Sequence, residues 1–327
     1  MKDVVAAAEA DTRSEVFVLV PSYNHAPFVE KCLRSIFKQT LAPAKLLVID
    51  DGSGDESARI IERLLPDCPF PAEFIARENR GLSATLNEGF AFCREEKYFA
   101  YLGSDDVWLP EFLQNRARLL DSRPDAVLAF GHAFLIDDRD RIFDCTRDWV
   151  EYREEQVLKN LLRGVPPVTS SVVFRRVALQ GLRWNEDAIL EDYELYLKLT
   201  ARGTFAVDNQ KVLAAWRQHG YNTSRDFARM MDEWLAAQNR VAPLIGIGAA
   251  ELEKIQAELK FISIADFIRH GKKREALRML WENRRAARSK TDIGKMLARL
   301  LIPRAFHDRH RRNKRRQNIA RYGNIEI

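Results

Sequence analysis

The chain has 327 residues, 46% of them hydrophobic, which is ample for one large or two smaller domains with a real core and excludes a disordered chain. Its 52 Lys and Arg are nearly matched by 47 Asp and Glu, and a net charge of +5 is too modest to mark the whole chain as a nucleic-acid binder. Cys32, Cys68, Cys93 and Cys145 show no CxxC spacing, no apolar run approaches the length of a membrane span, and the first fifteen residues lack a signal-peptide pattern, so the expectation is a cytosolic protein with reduced thiols.

The first half alternates strand and helix signals. Residues 16–20 (VFVLV) are a continuous apolar run, the pattern of a strand buried on both faces. A polar turn follows, and Pro27 opens a helix with Val29, Cys32, Leu33 and Ile36 at helical spacing. A second strand at 46–49 runs into the turn 50–55 (DDGSGD), and the next helix carries Ala58, Ile61, Leu64 and Leu65 on one side. A third strand at 74–76 ends in residues 77–81 (RENRG). The helix after it takes Ser83 as its N-cap and buries Leu86, Phe90 and Cys93. A fourth strand at 98–102 meets Gly103 and delivers Ser104, Asp105 and Asp106 ahead of a helix near Pro110.

Repeated β-α units make a mostly parallel sheet with helices on both faces, and such sheets bind ligands beyond the carboxyl ends of their strands. Tyr23 and Asn24, Asp50 and Asp51, Arg77 and Asn79, and Asp105 and Asp106 each follow a strand, so four loops converge on one crevice. Adjacent carboxylates repel and resist desolvation. A hard divalent cation, Mg²⁺ or Mn²⁺, removes both costs and leaves positions open for substrate phosphates. The plainer alternative is a solvated turn whose first Asp caps the next helix.

The middle, about 125–220, reads as mixed strand and loop, with strands at 127–130, 133–136, 171–174, 205–207 and 212–215. A helix from about Ile189 carries Tyr193, Tyr196, Leu197 and Thr200 at helical spacing, and Glu191 and Asp192 at its start suit the helix dipole. From about 225 helical patterns dominate. Ile293, Met296, Leu297, Leu300 and Leu301 form an apolar stripe flanked by Lys290, Lys295 and Arg299, and residues 307–321 are rich in Arg and Lys.

Six segments carry a resemblance: VPSYN at 20–24, VIDDGS at 48–53, ENRGL at 78–82, SDDVW at 104–108, EDYEL at 191–195 and RQHGYNTS at 217–224. In this order and spacing the chain resembles a family 2 inverting glycosyltransferase of the GT-A fold, of the bacterial surface-polysaccharide type, over residues 14–224. The resemblance implies a sugar moved from a nucleotide diphosphate sugar, a UDP-sugar above others, to a saccharide or lipid-linked acceptor. Tyr23 would pack on the base, Asp51 would accept from its ring N–H, and the Pro21 backbone would line the same pocket beside Asp50. Arg77 and Asn79 would border base and ribose. Asp105 would meet the ribose or sugar, Asp106 would bind the metal, and Arg217 and His219 would approach diphosphate or metal. Asp192 matches the catalytic base, with Glu191 the alternative by adjacency. Where relatives carry a Gly-Gly-Phe-Asp turn, residues 181–185 read GLRWN, and Trp184 is expected to line the acceptor side; Thr169, Ser170 and Ser171 face the acceptor or simply enter a strand. His25, His132, His270, His307 and His310 share no ligand spacing and receive no role.

Two other functions compete. A non-catalytic sugar-nucleotide or membrane scaffold would lack the base or the metal Asp, and both are present. A nucleotidyltransferase would open with a Gly-rich basic loop after the first strand, which is absent. Residues 225–288 are expected to form a helical appendage or a homodimer contact. Residues 289–327 read as a basic amphipathic tail for an anionic membrane surface, which would make the enzyme peripheral on the inner face of the cell membrane. They lack the aromatic interleaving of a nucleic-acid arm.

Overall fold

The computed structural model describes residues 15–220 and 226–327. The first half is built of β1 (Val16–Ser22), α1 (Val29–Phe37), β2 (Lys45–Asp50), α2 (Ser57–Leu64), β3 (Ala72–Ala76), α3 (Leu82–Phe90) and β4 (Tyr98–Tyr101). Then come β5 (Val107–Trp108), α4 (Phe112–Ser122), β6 (Ala126–Ile136), β7 (Ile142–Cys145), α5 (Val157–Leu162), β8 (Val173–Arg175), α6 (Arg176–Leu179), α7 (Glu191–Leu199) and β9 (Thr204–Arg217). Five helices end the chain: α8 (Phe227–Val241), α9 (Ala249–Arg269), α10 (Lys273–Glu282), α11 (Lys290–Leu301) and α12 (Arg304–Tyr322).

The strands form one sheet in the order β3-β2-β1-β4-β8-β6-β9-β5, with β7 beside β6. β1 to β4 pair in parallel, and β6 pairs in parallel with β9. β8 runs antiparallel to both β4 and β6, so β6 and β9 point the same way as the first four strands. Only β5, β7 and β8 oppose them. Six strands therefore end on one edge, as a mostly parallel sheet requires. β1 alternates Val16, Val18 and Val20 into one core layer and Phe17 and Leu19 into the other, which is why its sequence is apolar without a break.

Local expectations shift in three places. The pairs of short strands expected at 127–136 and 205–215 are two long strands, β6 and β9, because each pairs along its length with the other. Ser83 does not cap α3; Gly81 holds that position at φ 87°, a conformation favourable to glycine. Residues 169–171 form a 3₁₀ turn before β8.

The C-terminal helices share a core with the sheet. Trp234, Ala237, Leu259, Phe267, Ala276 and Leu280 are continuous with Phe99, Phe174 and Tyr196. Gln238 Nε2 donates to Leu162 O at 3.0 Å and to Tyr193 Oη at 2.9 Å. The apolar stripe of α11 differs from a free amphipathic face: Ile293, Met296 and Leu300 pack against this core, while Leu297 and Leu301 stay exposed. α12 lies along β7. Arg315 reaches Asp137 at 2.7 Å, Lys314 reaches Asp144 at 3.3 Å, and Ile325 joins Val107, Ile136, Ile142 and Ala215 in a small core of its own. No helix among the described residues is long and apolar enough to cross a membrane.

Candidate active site

The loops after β1, β2, β3 and β4 hold one another in place. Asn24, at φ 54°, accepts from the Gly54 N–H at 2.8 Å, and its own N–H donates to Ser53 Oγ at 2.8 Å. Gly52 adopts φ 76°, and a Cβ there would meet Asn79 N at 2.7 Å. Asp50 is occupied within its own turn, accepting from Ser53 N at 2.8 Å and Ser53 Oγ at 2.7 Å. Asp51 is buried, and its carboxylate receives the Arg77 guanidinium, Arg80 N–H at 2.8 Å and Gly81 N–H at 2.9 Å. Asn79 Nδ2 donates to Asp51 O at 2.8 Å. Arg77 is further fixed by Glu88 at 2.9 Å and Thr85 at 2.8 Å. Tyr23 is 49% exposed beside this network, and the Pro21 carbonyl accepts from Ser104 N. The four loops expected to converge do so.

The end of β9 completes the edge. Arg217 N donates to Asp106 Oδ1 at 2.8 Å, and Arg217 Nε donates to Asp105 O at 2.7 Å. The rest of the guanidinium turns inward to Asp137 O and Asp140, each at 2.7 Å, and lies over the Phe28 ring. Arg217 is thus a buried strut beneath the acidic loop rather than a cation presented at the crevice.

His219 Nε2 lies 2.9 Å from Asp105 Oδ2, and His25 Nδ1 lies 3.8 Å from Asp105 Oδ1 and 2.8 Å from Ser104 Oγ. His25, Asp105 and His219 offer ligand atoms within 4.8 Å of one another, close enough for one cation to be held by all three. Asp106, expected to be the metal ligand, is not among the three; the Arg217 N–H has claimed one of its oxygens. Asp105, expected on the sugar side, is the carboxylate the histidines surround. Burial pushes the Asp105 carboxyl upward, but the His219 hydrogen bond and the neighbouring His25 outweigh it and hold it below the usual range. Burial, then the charge of Asp105, raises Asp106 well above it. His25 is a residue that sequence reasoning left without a role. Its only signal is its place one residue beyond the polar turn at the end of β1.

Asp192 sits in the first turn of α7. Its Oδ2 accepts from Thr169 Oγ1 at 2.5 Å, and its Oδ1 accepts from Tyr193 N at 2.7 Å. Burial raises the pKa of Asp192. Burial and the charge of Asp192 push Glu191 up to about 8. Both carboxyl groups line a cavity of about 420 Å³ with Arg80, Gly81, Glu186 and Trp216. Arg80 and Gly81, whose amides bind Asp51, therefore line the same cavity as the α7 carboxylates. Arg80, Glu186 and Trp216 were not singled out from the sequence. Trp184 differs from expectation: it is 2% exposed among Phe90, Phe99 and Tyr101, a core residue rather than an acceptor wall.

A mostly parallel sheet whose strands end on one edge, with helices on its faces, is the architecture of the GT-A fold. The chain belongs to glycosyl transferase family 2, whose family profile matches residues 17–180. An uncharacterized glycosyltransferase from Nostoc is 29% identical over 51% of this chain and 52% of its own length. The chain thus spans about half of that relative. Chondroitin synthase of Escherichia coli is 27% identical over 68% of this chain but only 32% of the synthase. Amylovoran biosynthesis glycosyltransferase AmsE of Erwinia amylovora is 27% identical over 57% of this chain and 70% of AmsE. Two solved structures share the fold. TarS 1–349 of S. aureus in complex with UDP has a TM-score of 0.54 and 16% identity, covering 95% and 94% of the two chains. The mannosyltransferase PcManGT of Pyrobaculum calidifontis, in complex with GDP-Man and Mn²⁺, has a TM-score of 0.60 and 17% identity, covering 94% and 86%.

Proposed function

We propose that this protein is a metal-dependent inverting glycosyltransferase that moves a sugar from a nucleotide diphosphate sugar to a saccharide or lipid-linked acceptor in cell-surface polysaccharide synthesis. The observation that carries the reading is the shared cavity, lined both by Asp192 and by the Arg80–Gly81 loop whose amides bind Asp51. Tyr23 offers its exposed ring to the base, and Asp51, held by Arg77, accepts from the base N–H. Pro21 and Asn79 complete that pocket. A UDP-sugar is the favoured donor; UDP bound to TarS supports the class of donor.

Two imidazoles and a carboxylate suit Mn²⁺ better than Mg²⁺, which prefers oxygen ligands. Bound by His25, Asp105 and His219, the cation would neutralise charge on the departing diphosphate. In the transfer, Asp192 takes the proton of the acceptor hydroxyl as its oxygen attacks the anomeric carbon. The bond from that carbon to the diphosphate oxygen breaks on the opposite face, and the diphosphate leaves with the electron pair. Thr169 and Tyr193 N–H orient the Asp192 carboxylate for this task.

The test is Asp192→Asn, assayed for transfer against a panel of UDP- and GDP-sugars with an oligosaccharide or polyprenyl-phosphate-sugar acceptor. Transfer falls ~10²-fold or more, while Mn²⁺-dependent UDP binding stays intact. Unchanged transfer by the variant removes Asp192 as the base.

A further inference from the structure

The fifty residues 272–321 carry 18 Lys and Arg against 4 Asp and Glu, although the whole chain is only +5. The remainder of the protein is therefore net acidic, and positive charge is segregated onto α10, α11 and α12. Some of it is consumed internally, where Arg315 and Lys314 meet Asp137 and Asp144. The larger part stays exposed.

Apolar side chains stand out on the same helices. Trp281 is 70% exposed, Leu277 53%, Leu301 83% and Phe306 63%. Their arrangement follows from α10. Ala276, Met279 and Leu280 face the core, so the stripe Lys273, Leu277 and Trp281, spaced four apart, occupies another face. Lys273 Nζ donates to Leu300 O at 2.6 Å and Ile302 O at 2.7 Å, which sets the start of that stripe against the α11–α12 junction, where Leu301 and Phe306 project. Arg274, Leu277, Arg278 and Trp281 line a shallow groove, and the Arg284 guanidinium lies 4.5 Å over the Trp281 ring.

We propose that this face, α10 together with the α11–α12 junction, docks on an anionic lipid surface. Aliphatic and indole side chains ringed by Arg enter the headgroup boundary, while the cations pair with lipid phosphates. Charge complementarity selects this occupant. A second copy would set like charges against each other, and aliphatic Leu277 and Leu301 supply neither stacking nor polar contacts to a nucleic acid. The stripe at 293–301, expected to meet lipid, is largely turned into the protein, so the lipid contact falls mainly to Leu277, Trp281 and Phe306, with Leu301 the stripe's contribution. The proposal does not depend on the sugar-transfer reading.

The experiment is sedimentation of the intact protein with vesicles of phosphatidylglycerol and phosphatidylcholine, or of phosphatidylcholine alone. The protein pellets with the anionic vesicles, and high salt releases it. Arg274→Glu with Arg278→Glu lowers partitioning ~10-fold or more. Leu277→Ser with Trp281→Ser lowers it at constant charge. These positions are exposed, so both variants keep the parent melting temperature, and UDP binding, measured alongside, reports separately on the donor site. Absence of pelleting with anionic vesicles, equal pelleting by all three proteins, or tighter binding to a DNA oligonucleotide than to vesicles overturns the proposal. So does a dimer that the Leu277→Ser, Trp281→Ser change dissolves.

Discussion

The backbone N–H of Arg217 donates to the Asp106 carboxylate at 2.8 Å, across 111 residues of chain. That bond turns Asp106 inward and ties the last strand of the sheet to the acidic loop of the fourth. The Arg217 guanidinium extends the tie to Asp137 and Asp140, where the end of the chain also docks through Ile325 N and the Asp140 carbonyl at 2.9 Å.

Arg217→Ala removes three buried or half-buried hydrogen bonds, to Asp105 O, Asp137 O and the Asp140 carboxylate, and empties the volume beneath the acidic loop, although Asp137 O keeps the Asp140 N–H and Asp140 keeps Lys31. The expected cost is ~3–5 kcal/mol, read as a shift of the denaturant midpoint. Arg217→Met keeps packing over Phe28 and loses less, with a smaller midpoint shift separating packing from bonding.

His25→Ala tests the cation cluster. It is expected to weaken Mn²⁺-dependent UDP binding ~10-fold or more in calorimetry, while UDP binding without metal changes little. His132→Ala is a poor control because His132 is buried and bonded to Asn209; exposed His310→Ala is the appropriate one, and leaves both affinities unchanged.

Glu191 gives a pH signature. Its folded pKa, about 8, lies above the value of a free carboxyl, so the folded state holds a proton the unfolded state has lost. The resulting penalty is absent at low pH, builds as pH rises past the ordinary carboxylate range and levels off above about 8. Glu191→Gln is therefore expected to stabilise the protein by ~1–2 kcal/mol near neutrality, with no gain in acid, by denaturant titration at several pH values. The same burial raises Asp192, so with Asp192 as the proposed base the acid limb of the transfer rate is expected to lie above the pKa of an ordinary Asp. Thr169→Val removes a hydrogen bond that favours the Asp192 carboxylate and moves that limb to higher pH.

Much of this arrangement is legible in one dimension. The unbroken run at 16–20 marks a strand covered on both faces, and Tyr23, Asp51, Arg77 and Asp105 each follow a strand, which places them on one edge of any parallel sheet. Those are local signals, set by side-chain period and by turns. What tertiary structure alone decided is which distant groups meet. The pairing of β9 with β6 brings Arg217 and His219 back to the first and fourth loops, where Arg217 becomes a strut and His25 gains partners that its neighbours in sequence do not suggest. The same is true of Trp184, drawn into the aromatic core, and of the α11 stripe, half of whose apolar face finds the protein before any membrane. An amphipathic pattern states that a face will be buried; only the packing of the whole chain states against what.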